Sequence, residues 1–415
     1  MTPPEVITTF IDDHTDEAID LLETLLAHDT QNPPGETAEL LAWIETYLDS
    51  LGLATDRVVV DPAKPNLIAT LPGERDGTLL FTGHIDTVPF DRSAWEQDPL
   101  GERDGDRIYG RGATDMKGPL AAMLMTARVF AETETRPPLT LRFVIVSDEE
   151  IAGDAGLPAV LAADAIEGDY CLIGETTCEQ EYHSVTVADK GSIWLTLEAV
   201  GSAAHGSRPM LGTNAIDRLY TAIQRIRREF GSEPFAIAPE LEPIIDESIE
   251  YYSLMMDGST ARTLFTHPTI NLGTLTGGES INSVPQTAES RLDIRLTPGV
   301  ETPTMLNRIR ECAEECEGIT IADVSWSVGT YERLDSPLVE AVSEAAEMTT
   351  GDRIYRRSAT GGGDAKKLRN EGIPTVEFGL GTDTAHAVDE FTTISALSGN
   401  VHIYSQLPYR LAKRG

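Results

Sequence analysis

Residues 143–156 read FVIVSDEEIAGDAG. The apolar residues at 143–146 are strand-like, and they run directly into Ser147, Asp148, Glu149 and Glu150. Three adjacent carboxylates repel one another and favour separate solvation. A buried strand that delivers them together constrains the fold, because in an open α/β sheet the C-terminal strand ends are where ligands bind. The competing reading is a solvated acidic loop. Composition gives that reading weight: the chain carries 68 acidic and 32 basic residues, a formal net charge of −36.

Lysine is scarce. Only Lys64, Lys117, Lys190, Lys366, Lys367 and Lys413 occur, and the other basic residues are Arg. A surface this acidic repels nucleic acid and anionic membranes, which excludes both as partners. It also self-repels unless salt screens it. The expectation is a halophile-type protein from a cytoplasm with molar salt. The length of 415 residues points to two domains, and 40% hydrophobic residues suffice for a packed core. Cys171, Cys178, Cys312 and Cys316 form no Cys-x-x-Cys pair and require no oxidising compartment. Cys312 and Cys316 read as packing residues on a helix rather than half of a metal site. The first residues lack a basic and then apolar leader pattern, and no apolar run has the length of a membrane span. The sequence therefore predicts a soluble, cytoplasmic protein.

Apolar spacing predicts helices over 15–28 and from Thr37 to about 51, with Thr37 as N-cap, PPGE at 33–36 as a break and Gly52 as the stop. Strands are predicted at 78–83 and 139–147, with a buried helix at 118–131 between them. This order argues an α/β layer fold with a largely parallel sheet. From about 188 the pattern changes. Segments 191–201, 270–278 and 289–298 alternate like antiparallel strands with one wet face, and helices are predicted at 213–229 and 302–316. Residues 230–268 are weakly patterned. After about 332 helix, strand and helix resume. The prediction is one α/β domain from residues 1–187 and 332–415, and an inserted α+β domain at 188–331.

Five segments of the α/β domain offer ligand chemistry. In GHIDTVP, His84 and Asp86 are two apart, so an extended backbone points both to one side. A metal-bound His donates its other ring N–H to an acceptor, and Asp86 is placed for that; a satisfied structural His is the alternative. Asp115, in GRGATDMKG, stands in a Gly-rich turn just before a helix, where an N-cap Asp is the plain reading. The others are SDEE, then Glu175 in GETT, and His386 in TAHAVDE. Two His with Asp and Glu carboxylates suit zinc, cobalt or manganese without any Cys. These ligands are too many for one ion, but they suit two ions that share a carboxylate.

In this order the five motifs resemble the co-catalytic zinc peptidase and deacylase family of acetylornithine deacetylase, succinyl-diaminopimelate desuccinylase, aminoacylase and glutamate carboxypeptidase. The resemblance covers essentially the whole chain, and the acidic surface suits a haloarchaeal member. It implies a zinc-exopeptidase-like catalytic domain with an inserted lid or dimerisation domain. It implies that His84 and Glu175 hold one zinc, Glu150 and His386 the other, and that Asp115 bridges both. It implies a cis peptide bond after Asp115, Asp86 orienting His84, and Glu149 as the general base. Asp148 has no implied role and is taken as structural.

In the inserted domain GSAAHGSRP, 201–209, resembles the family segment whose His, here His205, reaches a neighbouring subunit's site and helps stabilise the oxyanion. A solvated loop His is the alternative. Asn282 and Arg295 resemble the family's substrate-binding pair, although Arg295 shares a strand face with Arg291 and Asp293, where a surface salt bridge fits too. Gly362 and Gly363, in TGGGDAKKL, resemble a loop near the substrate carboxylate, or form only a flexible turn. GETT replaces the commoner GEPT, and GGGD departs from the usual Gly-rich loop, which leaves specificity open. The resemblance implies a hydrolase with two Zn2+ per chain, Co2+ or Mn2+ being alternatives. Its substrate is a small-molecule N-acyl amino acid or peptide with a free carboxylate, and the protein is a homodimer. A dipeptidase or carboxypeptidase of the same family is the alternative activity, and a non-catalytic binding protein the alternative class.

Overall fold

The computed structural model describes residues 3–180 and 182–413. These divide into two compact units. One comprises the described residues of Met1–Val187, Glu332–Arg356 and Gly363–Gly415, the other Ala188–Tyr331 with Arg357–Gly362.

The first unit is α/β, as the strand–helix–strand order predicts. Thr78–His84 lies between Thr140–Val146 and Tyr170–Ile173, parallel to both, and Tyr170–Ile173 is parallel to Thr375–Glu377. Asn66–Leu71 and then Ala54–Val58 extend the sheet antiparallel beyond Thr140–Val146. Thr78–His84, Thr140–Val146 and Tyr170–Ile173 are mostly apolar and buried, as strands covered on both faces require. Phe81 stacks on Phe143 at 5.5 Å and tilts against Tyr404 of the helix Ile394–Leu411 at 5.6 Å. Their neighbours Leu80 and Val144 point to the opposite face, where Leu157, Val160 and Leu368 cover them. Lys117–Glu132 packs against Ile394–Leu411 and Thr15–Leu26. Phe143 is 1% exposed, and truncating such a residue to Ala costs about 3–5 kcal/mol.

The helix ends follow local chemistry, with one exception. Ser336 Oγ accepts the N–H of Val339 at the start of Pro337–Thr350, and Gly351 ends that helix with φ of 76°. Thr37 precedes the helix Ala38–Ser50, but contrary to the sequence expectation its hydroxyl caps nothing. It lies 2.7 Å from Ser147 Oγ and 3.2 Å from the Ala63 carbonyl. A stronger buried partner has taken the oxygen, and it ties this helix to the SDEE strand end.

The second unit is a four-stranded antiparallel sheet in the order Thr269–Gly277, Thr287–Leu296, Gly191–Val200, Ile319–Ser327. Ile193, Leu195, Leu197 and Ala199 alternate inward and form a core with Leu219, Ile223 and Ile226 of the helix Ala215–Phe230 and Leu306 and Ile309 of Thr302–Glu314. The weakly patterned stretch holds two helices, Glu242–Tyr252 and Gly258–Thr266, whose Tyr252 and Phe265 rings lie 5.2 Å apart. No helix among the described residues is long and apolar enough to cross a membrane.

Candidate functional site

All four parallel strands of the first unit end at one edge of the sheet, and the predicted ligands of that unit collect there. His84 is the last residue of its strand, paired opposite Val146, so SDEE begins beside it. Glu175 follows Tyr170–Ile173 after one glycine. His84 Nδ1 lies 2.9 Å from the Asp86 carbonyl oxygen and 3.6 Å from its carboxylate. A carbonyl only accepts, so Nδ1 carries a proton and Nε2 is the nitrogen turned toward the cluster. The sequence argument had Asp86 orienting His84, and its carbonyl oxygen is the nearer acceptor. The carboxylate also accepts Asn32 Nδ2 at 2.8 Å and the backbone N–H groups of Glu149 and Glu150, each at 3.2 Å.

His84 Nε2 lies 3.2 Å from Asp115 Oδ1 and 3.3 Å from Glu175 Oε1. His386 Nε2 lies 3.1 Å from both Asp115 Oδ2 and Glu150 Oε2. Asp115 thus turns one oxygen to each imidazole. Ligand atoms at about 2.0–2.1 Å from a tetrahedral ion are about 3.3 Å apart. The observed spacings fit two such spheres that share one carboxylate. The groups His84, Glu149, Glu175 and His84, Asp115, Glu150 each bring ligand atoms within 4.8 Å of one another, so geometry alone also admits Glu149 as a ligand. The Asp115–Met116 peptide is cis, as the resemblance implies. Met116 rather than Asp115 is the residue before the helix Lys117–Glu132, and no side chain caps that helix. The plain N-cap reading of Asp115 therefore falls.

Five carboxylates, Asp86, Asp115, Glu149, Glu150 and Glu175, surround two imidazoles, and the protonation of the cluster reflects this excess. Burial raises Glu149, and Asp364, Asp115 and Glu150 add to it against the pull of His84; its carboxyl is pushed up to about 7. Burial, then the Asp115 charge, raises Glu175 well above the carboxylate range. Burial alone would raise Asp115 as well, but hydrogen bonds with His386 and His84 hold it far below its ordinary value. Burial would lower His84, yet Glu175, Asp115 and Asp86 raise it. Hydrogen bonds with Asp115 and Glu150 push His386 up to about 10. These shifts describe a negative potential that retains protons. Dications would meet the same potential and leave the imidazoles neutral.

Several supporting residues escaped the sequence reading. Asn32 Nδ2 bridges Asp86 and Asp148, and Lys64 pairs with Asp148 and lies 3.2 Å from Asn32 Oδ1. Asp148 is therefore structural, as expected, and its partners come from the segment before the first predicted strand. Lys117 is buried and donates to the His28 carbonyl at 2.8 Å. Glu390 and Arg111 form a buried pair at 2.5 Å. A Glu four residues after His386 was the only sequence trace of it.

The remaining predicted residues are spread over both units. His205 is exposed, holds Ser207 Oγ at 2.8 Å through Nδ1, and forms a β-bridge with Ser283 beside Asn282. The Gly206 N–H donates to the Asn282 carbonyl at 2.6 Å. Those two loops therefore meet within the second unit. Arg295 bonds Asp293 on its own strand at 2.7 and 3.1 Å, the salt bridge offered as its alternative. Gly362 belongs to the second unit and Gly363 to the first. Gly363 precedes the helix Asp364–Asn370, and a Cβ there would lie 3.6 Å from Glu149 Oε1, so its backbone passes close to that carboxylate.

Residues 80–410 match the model of peptidase family M20/M25/M40. The chain is 27% identical to an acetylornithine deacetylase of Vibrio campbellii over 385 residues, 89% of this chain and 90% of that protein. Its fold is similar to a family M20 metallo-carboxypeptidase of Sulfolobus solfataricus, with a TM-score of 0.76 and 20% identity over 95% of this chain and 99% of that one. It is also similar to a dinuclear metal-binding M20 peptidase of Bacillus subtilis, with a TM-score of 0.66 and 18% identity over 96% and 98% of the two chains. The chain belongs to peptidase family M20/M25/M40 and is a metal-dependent hydrolase acting on C–N bonds.

Proposed function

We propose that this chain cleaves the amide bond of an N-acyl amino acid or small peptide bearing a free carboxylate, using two divalent ions, Zn2+ for preference. His84 and Glu175 would hold one ion, Glu150 and His386 the other, and Asp115 both. The observation that carries this is the Asp115 carboxylate, whose two oxygens face different imidazoles at 3.2 and 3.1 Å. Bound there, the ions supply Lewis acidity to the amide carbonyl and to the attacking water. The protein's own part is positioning and proton transfer. Glu149 suits a general base, because its backbone N–H is held by Asp86 and its carboxylate belongs to the same cluster as His84 and Glu175. It would take the proton of the attacking water and return it to the leaving nitrogen. Asp86 holds the backbone of Glu149 and Glu150 while its carbonyl sets the His84 tautomer.

The acetylornithine deacetylase relative supports the deacylase reading, and the carboxypeptidase neighbour supports a peptidase as the second. The acidic surface supports action in a salt-rich cytoplasm. His205, exposed on the second unit, would serve as oxyanion donor to another copy's site, which requires a homodimer. Sedimentation of a fully active monomer would exclude that donation. Arg295, Asn282, Gly362 and Gly363 remain the proposed carboxylate-binding set, with Arg295 needing to leave Asp293 to take part. The test is a panel of acetylornithine, succinyl-diaminopimelate, other N-acyl amino acids and dipeptides offered to zinc-loaded protein in molar salt. Hydrolysis of at least one, abolished by chelator and restored by zinc or cobalt, is expected. Cleavage of none would overturn this substrate class.

A further inference from the structure

The segment that brings His386 also brings a carboxylate with no part in the reaction above. Glu390 is fully buried, yet all its partners are donors. Its Oε1 accepts the backbone N–H of Thr114 at 2.9 Å and of Asp115 at 3.0 Å. Its Oε2 accepts the Gly112 N–H at 3.1 Å and Arg111 Nη1 at 2.5 Å. Gly112 can present its N–H there because it holds φ at 92°, a conformation that favours glycine. Arg111, itself 5% exposed, donates Nη2 to the His386 carbonyl at 3.3 Å, and its guanidinium lies 5.2 Å from the Trp95 ring. The backbones are joined as well: the Gly110 N–H donates to the Glu390 carbonyl, and Phe391 pairs with Tyr109. One buried pair thus holds the loop that ends in Asp115 and the segment that begins at His386.

We infer that Glu390, together with Arg111, is a positioning residue that fixes Asp115 against His386 and thereby sets the affinity of the ion those two share with Glu150. This rests on the two-ion reading above. The reason lies in the donor count. Four donors from residues 111, 112, 114 and 115 converge on one side chain, and only a carboxylate accepts from all of them. An amide of the same shape keeps one accepting oxygen and turns an NH2 group toward two donors, leaving buried N–H groups unpaired. Asp115 would then lose the contact that holds its own N–H, and its side chain would no longer be fixed 3.1 Å from His386 Nε2. His84 is held separately, through the Asp86 carbonyl and its strand, so the ion it would share with Glu175 and Asp115 loses less than the one at His386.

The experiment is a zinc titration of the full chain against a chromophoric chelator in molar salt, for wild type, Glu390→Gln and Arg111→Lys. Wild type should bind about two ions. In Glu390→Gln one ion should lose about 10–100-fold in affinity, the usual cost of removing a partner behind a metal ligand, while the other, which keeps His84 and Glu175, loses clearly less. Arg111→Lys, which cannot reach Glu390 and the His386 carbonyl together, should weaken the same ion by less. A folded Glu390→Gln that binds both ions as wild type does, or loses both equally, overturns the inference. If Glu390→Gln does not fold, Arg111→Lys decides, and unchanged affinity for both ions overturns it. Wild type binding fewer than two ions breaks the two-ion reading itself, a result read before any variant is compared.

Discussion

The carboxylate of Asp86 accepts the backbone N–H of Glu149 at 3.2 Å. The residue that fixes the His84 tautomer through its carbonyl therefore also holds the proposed base in place. Asp86→Asn retains one accepting oxygen, so its NH2 must face either the Glu149 N–H or the Glu150 N–H together with Asn32 Nδ2, and one side loses its acceptor. It should lower kcat/KM by about 10–100-fold and weaken zinc binding. Unchanged kcat/KM would show that Asp86 positions nothing that matters.

Glu149 and Glu150 are adjacent, yet they are assigned different tasks. Glu149→Gln should keep both ions and lose turnover by about 10²–10⁴-fold, the worth of a positioned base. Glu150→Gln should weaken one ion, because a neutral amide is a poor ligand beside a dication, and added zinc should restore part of its activity. Zinc stoichiometry measured alongside turnover separates them. The reverse pattern would exchange the two roles, and full activity in both would make SDEE a solvated loop.

The stability of chelator-treated protein should fall as pH rises toward about 7. Glu149 stands at about 7 rather than 4.5, so between those values the folded state binds more protons than the unfolded state, and that contribution is lost as pH rises through about 7. His386 stands at about 10 rather than 6.5, and its contribution, complete below 6.5, is lost as pH rises through about 10. Both act in one direction. Above about 7 the buried Lys117 and Lys190, lowered to about 7, act the other way. Thermal melts at fixed molar salt should show Tm declining from about pH 4.5 to about 7 without zinc, and flatter or rising with zinc, since protons compete with the ion for its ligands. A Tm that rises with pH over that range in the chelated protein would contradict the electrostatic account.

A net charge of −36 predicts a strong salt requirement. The Debye length shrinks from about 10 Å at 0.1 M to about 3 Å at 1 M, so repulsion between surface carboxylates falls steeply. Tm in a potassium chloride series should rise toward molar salt. A flat or falling Tm would remove the halophile reading.

What the sequence disclosed follows a physical pattern. Strand ends were legible because an apolar run that stops at a ligand-type residue is a local pattern, as at His84, Glu150 and Glu175. The helix Ala215–Phe230 was legible because its apolar face is regular. The helix Glu242–Tyr252 was not, because Ile244, Ile245, Ser248 and Ile249 mix polar and apolar residues on its buried side. Thr37 was misread because capping is a local inference and Ser147 is a distant competitor. Asn32 and Arg111 were invisible, and Glu390 left only its spacing from His386, for the same reason: each acts by hydrogen bonds to residues far along the chain, and no periodicity records such a bond.

The central claim is that two His and three carboxylates hold two ions that the reaction needs. Titration of chelator-stripped protein with zinc, with amide hydrolysis followed at each addition, tests it most directly. The account predicts no activity in the stripped protein, saturation at about two ions per chain, and activity that rises with occupancy. Full activity in a preparation free of divalent ions would contradict it.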